Sequence, residues 1–113
     1  NFLSFTATQT NAILITIGAG SKIVLTRLTV ALSNTLVVNL TIQIGFGVAV
    51  TAVVGGEGGV LRIPDMAPNT VVHVGNVAGI IGVGADNEEL RISTGAFAAG
   101  EINITVGYYT IES

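Results

Sequence analysis

His73 is the only histidine of the chain, and with no cysteine present it has no second nitrogen or sulfur ligand to join it. Zinc sites need three or four such ligands, so His73, between Val72 and Val74, reads as a structural or rim residue. Asp86, Asn87, Glu88 and Glu89 offer a run of the hard oxygen ligands that Ca²⁺ takes. Their spacing departs from an EF-hand loop, and a solvated turn leading into a strand accounts for them better. Gly55-Gly56-Glu57-Gly58-Gly59 has the glycine content of a phosphate cradle but lacks the lysine that a P-loop places after its glycines. No serine falls into a pattern with His73 and an aspartate, and Glu57 with Glu101 is a pair any chain could supply. The sequons Asn39-Leu40-Thr41 and Asn103-Ile104-Thr105 lie in mid-strand and read as polar-face residues. We therefore expect no catalytic residue, no metal site and no cofactor, and a protein that is not an enzyme.

The elements that carry these residues read as strands throughout. In Asp86–Tyr109, Leu90 and Ile92 oppose Glu89, Arg91 and Ser93, and Ile102, Ile104, Val106 and Tyr108 oppose Asn103, Thr105 and Gly107. A period of two over such lengths marks strands with one buried face, and the small-residue turn Gly95–Gly100 predicts a β-hairpin. Thr35–Phe46 alternates cleanly, with Leu36, Val38, Leu40, Ile42, Ile44 and Phe46 on one side, and predicts a long strand bent near Gly45 or Gly47. Ser33-Asn34 suits a hairpin corner before it. Further strands are expected at Phe2–Ala7, Ala12–Ile17, Lys22–Leu32, Val48–Val54, Val60–Ile63 (stopped by Pro64), Val71–Val74 and Val77–Val83. Short strands with glycine-rich corners and no helical periodicity predict an all-β, antiparallel β-sandwich, jelly-roll-like, of about eight strands, in a single domain spanning 1–113.

Composition narrows the function classes. Half of the 113 residues are apolar and 10% are charged, against about 25% charged in an ordinary soluble domain. So few charges leave a lone domain short of solubilising surface, so other chains or a membrane must cover part of it. Between Arg27 and Glu57 no residue is charged, a stretch long enough for a spanning helix. Asn34, Asn39, Gln43, several threonines, glycine breaks and the alternation oppose that reading, and there is no Trp to form the aromatic girdles of a membrane barrel. We expect no membrane span. Four basic residues and a net charge of −3 give no footprint for nucleic acid. The chain starts at Asn1 and not Met, so a processed or trimmed start is expected, and no basic segment followed by an apolar one marks a remaining signal peptide.

Within Lys22–Leu32, Val24, Leu28, Val30 and Leu32 fall on one side, and Ile23 and Leu25 on the other. Apolar residues on both faces, with few charges, predict burial of the second face by neighbouring subunits. Ile23 and Leu25 are therefore interface candidates, together with Phe97 in the Gly95–Gly100 turn, and a homotrimer is the expected assembly. Aromatic residues Phe97, Tyr108 and Tyr109 are the only platforms for an alternative, a carbohydrate- or host-surface-binding module contacting a host surface glycan.

Leu25-Thr26-Arg27-Leu28-Thr29-Val30 leading to Ile44-Gly45-Phe46-Gly47, then Pro68–Val74, Gly79-Ile80-Ile81-Gly82, Asp86–Ile92 and Ile104–Tyr109 follow one another in an order that resembles the small β-sandwich virion proteins of tailed bacteriophages and gene-transfer particles. The resemblance covers most of the chain from residue 22 onward. It implies a jelly-roll domain that trimerises and serves as head decoration, head-spike or fibre-base subunit at the particle surface. The implied partners are further copies of itself and other virion proteins such as the major capsid protein. It transfers no site residue.

Overall fold

The computed structural model describes residues 2–47, 59–75 and 79–112. The expected strand at Val48–Val54, most of the glycine-rich loop that follows it, and the start of Val77–Val83 lie outside the described residues. Nine strands and no helix occur among them: β1 (Phe2–Phe5), β2 (Ala12–Ile15), β3 (Ser21–Leu32), β4 (Leu40–Phe46), β5 (Gly59–Met66), β6 (Val71–Gly75), β7 (Gly82–Val83), β8 (Leu90–Thr94) and β9 (Ile102–Glu112). One sheet runs β1-β9-β3-β6, with β7 also paired to β3; the other runs β2-β8-β4-β5. Every pairing is antiparallel.

With β7 set aside, the pairs β1·β9, β2·β8, β3·β6 and β4·β5 are nested, the first strand with the last and so inward. That is one long antiparallel ribbon wrapped over itself, the jelly roll expected from the alternation. Each time the ribbon crosses between sheets, its two arms cross together and are tied. At β1→β2 and β8→β9, the Phe97 amide donates to Thr8 Oγ1 at 3.1 Å and the Thr94 amide to the Gln9 carbonyl at 2.9 Å. At β2→β3 and β7→β8, the Gly20 amide donates to Asn87 Oδ1 at 3.1 Å and the Asn87 amide to the Ser21 carbonyl at 3.0 Å. At β3→β4 and β5→β6, the Leu32 amide donates to the Thr70 carbonyl at 2.9 Å and the Asn69 amide to that of Ser33 at 3.2 Å.

This topology corrects two expectations. β8 and β9 belong to different sheets and do not pair, so Gly95–Gly100 is a crossover corner and not a hairpin turn. The Ser33-Asn34 corner likewise leads from one sheet to the other. The strand expected from Thr35 starts only at Leu40. Ser33 is the reason: its hydroxyl accepts the Glu101 amide at 2.9 Å and its carbonyl accepts the Leu36 amide at 3.4 Å. The resulting turn buries Leu36 and leaves Val37 and Val38 exposed. β5 runs through Pro64, which an edge strand tolerates because its missing N–H need not face a partner. A register irregularity there, between Leu40 and Ile42 on β4, accompanies the positive φ of Asp65.

The core is one cluster between the sheets. Leu28, Val30, Ile104 and Val106 meet Ile42, Ile44, Leu90 and Ile92 across it.

Candidate functional site

The residues suited to chemistry stand apart, and their hydrogen bonds are structural. His73 is exposed on β6, its Nδ1 2.7 Å from Thr29 Oγ1 on β3. Among the described residues no group of three His, Asp or Glu side chains could hold a metal. The acidic run shapes its own turn instead. Glu88 Oε1 accepts the Ala85 amide at 2.8 Å, Asn87 takes a positive φ of 64°, and Glu89 Oε1 pairs with Arg91 Nη2 at 2.7 Å. Gly47, Asn87, Glu88, Glu89 and Arg91 line a shallow depression of about 200 Å³. Glu89 is engaged with Arg91 and Glu88 with the Ala85 amide, while Arg91 Nε is buried without a hydrogen-bond partner. The Glu101 amide is bonded to Ser33, and Glu57 lies outside the described residues.

Arg91 has a second duty. Its Nη1 donates to the Asn11 carbonyl at 2.9 Å, while buried Ser93 accepts the Asn11 amide at 2.8 Å and donates to Asn11 Oδ1 at 3.3 Å. Asn11 sits at φ 48°, so this clamp holds a left-handed residue at the entry to β2. Removing the hydroxyl takes this acceptor from the half-buried Asn11 amide. Ser93→Ala is expected to lower stability by about 1–2 kcal/mol, read as a lower urea midpoint at unchanged slope.

The interface candidates fare differently from the expectation. Ile23 and Leu25 are 0% exposed inside the chain's own core, so a neighbour cannot reach them. The cause is a β-bulge. Leu25 pairs with Tyr108 and Arg27 with Gly107, leaving Thr26 as an extra residue on β3. An extra residue shifts the period-two alternation by one, so Ile23 and Leu25 before it and Leu28, Val30 and Leu32 after it all point inward. The two-sided apolarity of this strand is satisfied within one chain. Val24, on the other face, is also nearly buried at 3%. Phe97 is half-buried against the core, and its amide and carbonyl both meet Thr8 Oγ1. It staples the crossover while its ring stays partly exposed.

No family model matches the chain, and no curated protein matches it. Among solved structures it is similar to one described as "Capsid of Ralstonia phage GP4", with a TM-score of 0.56 at 13% identity, covering 100% of this chain and 84% of that one. The likeness is one of fold. A structure described as "CBM4 structure and function" follows at a TM-score of 0.32 and 15% identity, covering 99% of this chain and 82% of that one. That score is too low to indicate a shared fold.

The surface feature that sequence reasoning missed is the outer face of the β1-β9-β3-β6 sheet. Cross-strand register builds it row by row: Phe2–Thr105–Thr29–His73, Ser4–Asn103–Ala31–Val71, Gly107–Arg27–Gly75, Tyr109–Val24–Val83, and Ile111–Lys22. Phe2, Val71, Val83, Tyr109 and Ile111 on this face are 43–67% exposed. The opposite outer face carries Ser93–Gln43–Arg62 and Ile13–Arg91–Gly45, where Ile13 is the exposed large apolar residue. One face of the sandwich is thus mostly polar, and the other holds apolar side chains in water.

Proposed function

We propose that this chain is a non-enzymatic virion structural protein, a capsid decoration or head-spike or fibre-base subunit that assembles through subunit interfaces at the particle surface. Support comes from the jelly roll whose full length resembles a phage capsid structure, together with a surface that carries few charges and concentrates exposed apolar side chains on one sheet face. The single observation that carries the reading is that face, because a chain functioning alone gains nothing from Phe2, Val71 and Tyr109 in water. The homotrimer expected from β3 loses its motive once Ile23 and Leu25 are inside the core. The contact to other virion proteins, the major capsid protein among them, is instead the outer face of β1-β9-β3-β6.

Quantitative mass spectrometry of purified particles from the source of this chain tests the reading. The chain is expected at a fixed copy number relative to the major capsid protein. Val71→Asp, which changes an exposed side chain, is expected to remain folded yet be depleted from particles at least ten-fold. Absence of the wild-type chain from particles would overturn the proposal.

A further inference from the structure

The bulge in β3 does more than restore the core. Gly107, opposite Arg27, stands in mid-strand without the positive φ that would demand a glycine. Space is what its missing side chain provides. A Cβ there would lie 2.7 Å from Arg27 Cγ, 3.0 Å from Arg27 Nε and 3.0 Å from Thr26 Oγ1. Arg27 therefore lies flat from β3 across β9, and the extra residue brings the Thr26 hydroxyl over the same glycine. Bulges commonly re-aim side chains in this way. The same-face neighbours of Gly107 on β9 are Thr105 and Tyr109. Arg27 is exposed and makes no ion pair among the described residues. The rows of this outer face contain the basic residues Lys22, Arg27 and His73 and no carboxylate, although the chain's net charge is −3. Glu101 and Glu112 bound β9, six and five residues from Gly107, about 17–20 Å along an extended chain. That is well beyond the screening length of about 8 Å at physiological salt.

We infer that Arg27 and Thr26 form a carboxylate socket, which takes an aspartate or glutamate side chain of the virion protein this face sits on. The inference rests on the reading of the chain as a virion subunit and adds the chemistry of the partner's surface. A guanidinium offers parallel N–H donors that fit a carboxylate bidentately, and the Thr26 hydroxyl is a further donor beside it. In the free chain such an exposed charge is solvated, and a pair formed there gains little. Under a partner, the apolar side chains of Val71, Val83 and Tyr109 exclude water around it, and a desolvated arginine pair then anchors the contact. Charge selects the occupant. A second copy of the same face is basic as well, and like charges brought together are disfavoured. Val71, Val83 and Ile111 also need apolar atoms opposite them, which a protein surface supplies and a polyanionic saccharide does not. The matching patch is therefore an acidic residue set among apolar ones.

Particles carrying variant chains test the socket, with copy number read by quantitative mass spectrometry. Arg27→Glu is expected to be depleted about ten-fold or more, and the milder Arg27→Gln about three-fold or more. Arg62→Gln, at an exposed position of β5 on the other sheet, is the control and is expected at the wild-type level. Unfolding midpoints of the free chains are expected to match the wild type, which separates lost contact from lost fold. Arg27→Lys supplies an amine at the same place. Carbodiimide, which joins an amine to a contacting carboxylate, is expected to couple position 27 of that variant to an aspartate or glutamate of another virion protein. Wild-type incorporation of both Arg27→Glu and Arg27→Gln, or coupling only between copies of this chain, would overturn the socket and leave the virion role standing. Equal depletion of Arg62→Gln would overturn it too, as the mark of net charge and not of this face. Absence of the wild-type chain from particles would overturn both readings together.

Discussion

Gly100→Ala is expected to be among the most destabilising single-methyl changes this sandwich can receive, at about 2–6 kcal/mol. The estimate adds about 1–3 kcal/mol for a side chain held in a sparsely populated backbone region to about 1–3 kcal/mol for overpacking. Gly100 lies in the β8→β9 crossover at φ 106°, and a Cβ built there would stand 2.6 Å from Leu36 Cα and 2.7 Å from Leu36 N. Both contacts are backbone, so no rotamer change relieves them. The backbone cannot easily retreat either, since Ser33 is tied to Glu101 through both its amide, at 3.0 Å, and its hydroxyl, at 2.9 Å. Against a typical total of about 5–15 kcal/mol, the loss should be plain in a urea melt. Gly18→Ala is the control, because nothing lies within 4 Å of its Cβ position and its φ is not positive. That change should stay within about 0.5 kcal/mol. Equal midpoints for the two variants would show that the crossover is not closed against Leu36.

The same corner shows what was legible in the chain. Leu40–Phe46 and Ile102–Val106 read correctly because each has one face on the core, and burial of one face is a local, period-two signal. Pairing partners are not local. Leu90–Thr94 alternates identically whether its neighbour is the next strand or, as here, β2 and β4, so a hairpin and a crossover corner are indistinguishable until the sheets are assembled. Thr35–Val38 imitated a strand because Leu36 and Val38 happen to alternate, while the interactions that bend it come from Ser33 and Glu101, far apart in sequence. The outer face of β1-β9-β3-β6 was missed for a related reason. Phe2, Val71 and Tyr109 become one surface only through the register of strands from both ends of the chain. The bulge did leave a trace. Apolar residues fall at Ile23 and Leu25 and then at Leu28, Val30 and Leu32, a period-two series that changes parity once. Reading that change as two apolar faces led to a subunit interface; reading it as an extra residue leads to one core.

Two single-residue deletions in β3 are expected to differ sharply, and the difference isolates the role of Thr26. Deleting Thr26 places Arg27 directly after Leu25, still opposite Gly107 and Tyr108, with every core residue on its present face. The bend and twist of the bulge are lost along with one half-buried hydroxyl, and the expected cost is about 1–2 kcal/mol. Deleting Thr29 offers no such accommodation. If the bulge stays, Val30 and Leu32 turn outward and Ala31 inward, each exposed side chain costing about 1.5–3 kcal/mol. If the bulge is used up instead, Leu28 turns outward and the charged Arg27 inward, where no acidic group stands to pair with it among the core residues. Either route removes about 4 kcal/mol or more, enough to unfold a domain of ordinary stability. Denaturant melts and amide-dispersion NMR on the two deletions read the outcome: a dispersed, native-like spectrum for the Thr26 deletion and a collapsed one for the Thr29 deletion. Equal loss of structure in both would mean that β3 needs the bend of the bulge itself, since parity is preserved in only one of them. A folded Thr26 deletion would establish that the extra residue can be removed while both apolar series remain in the same core.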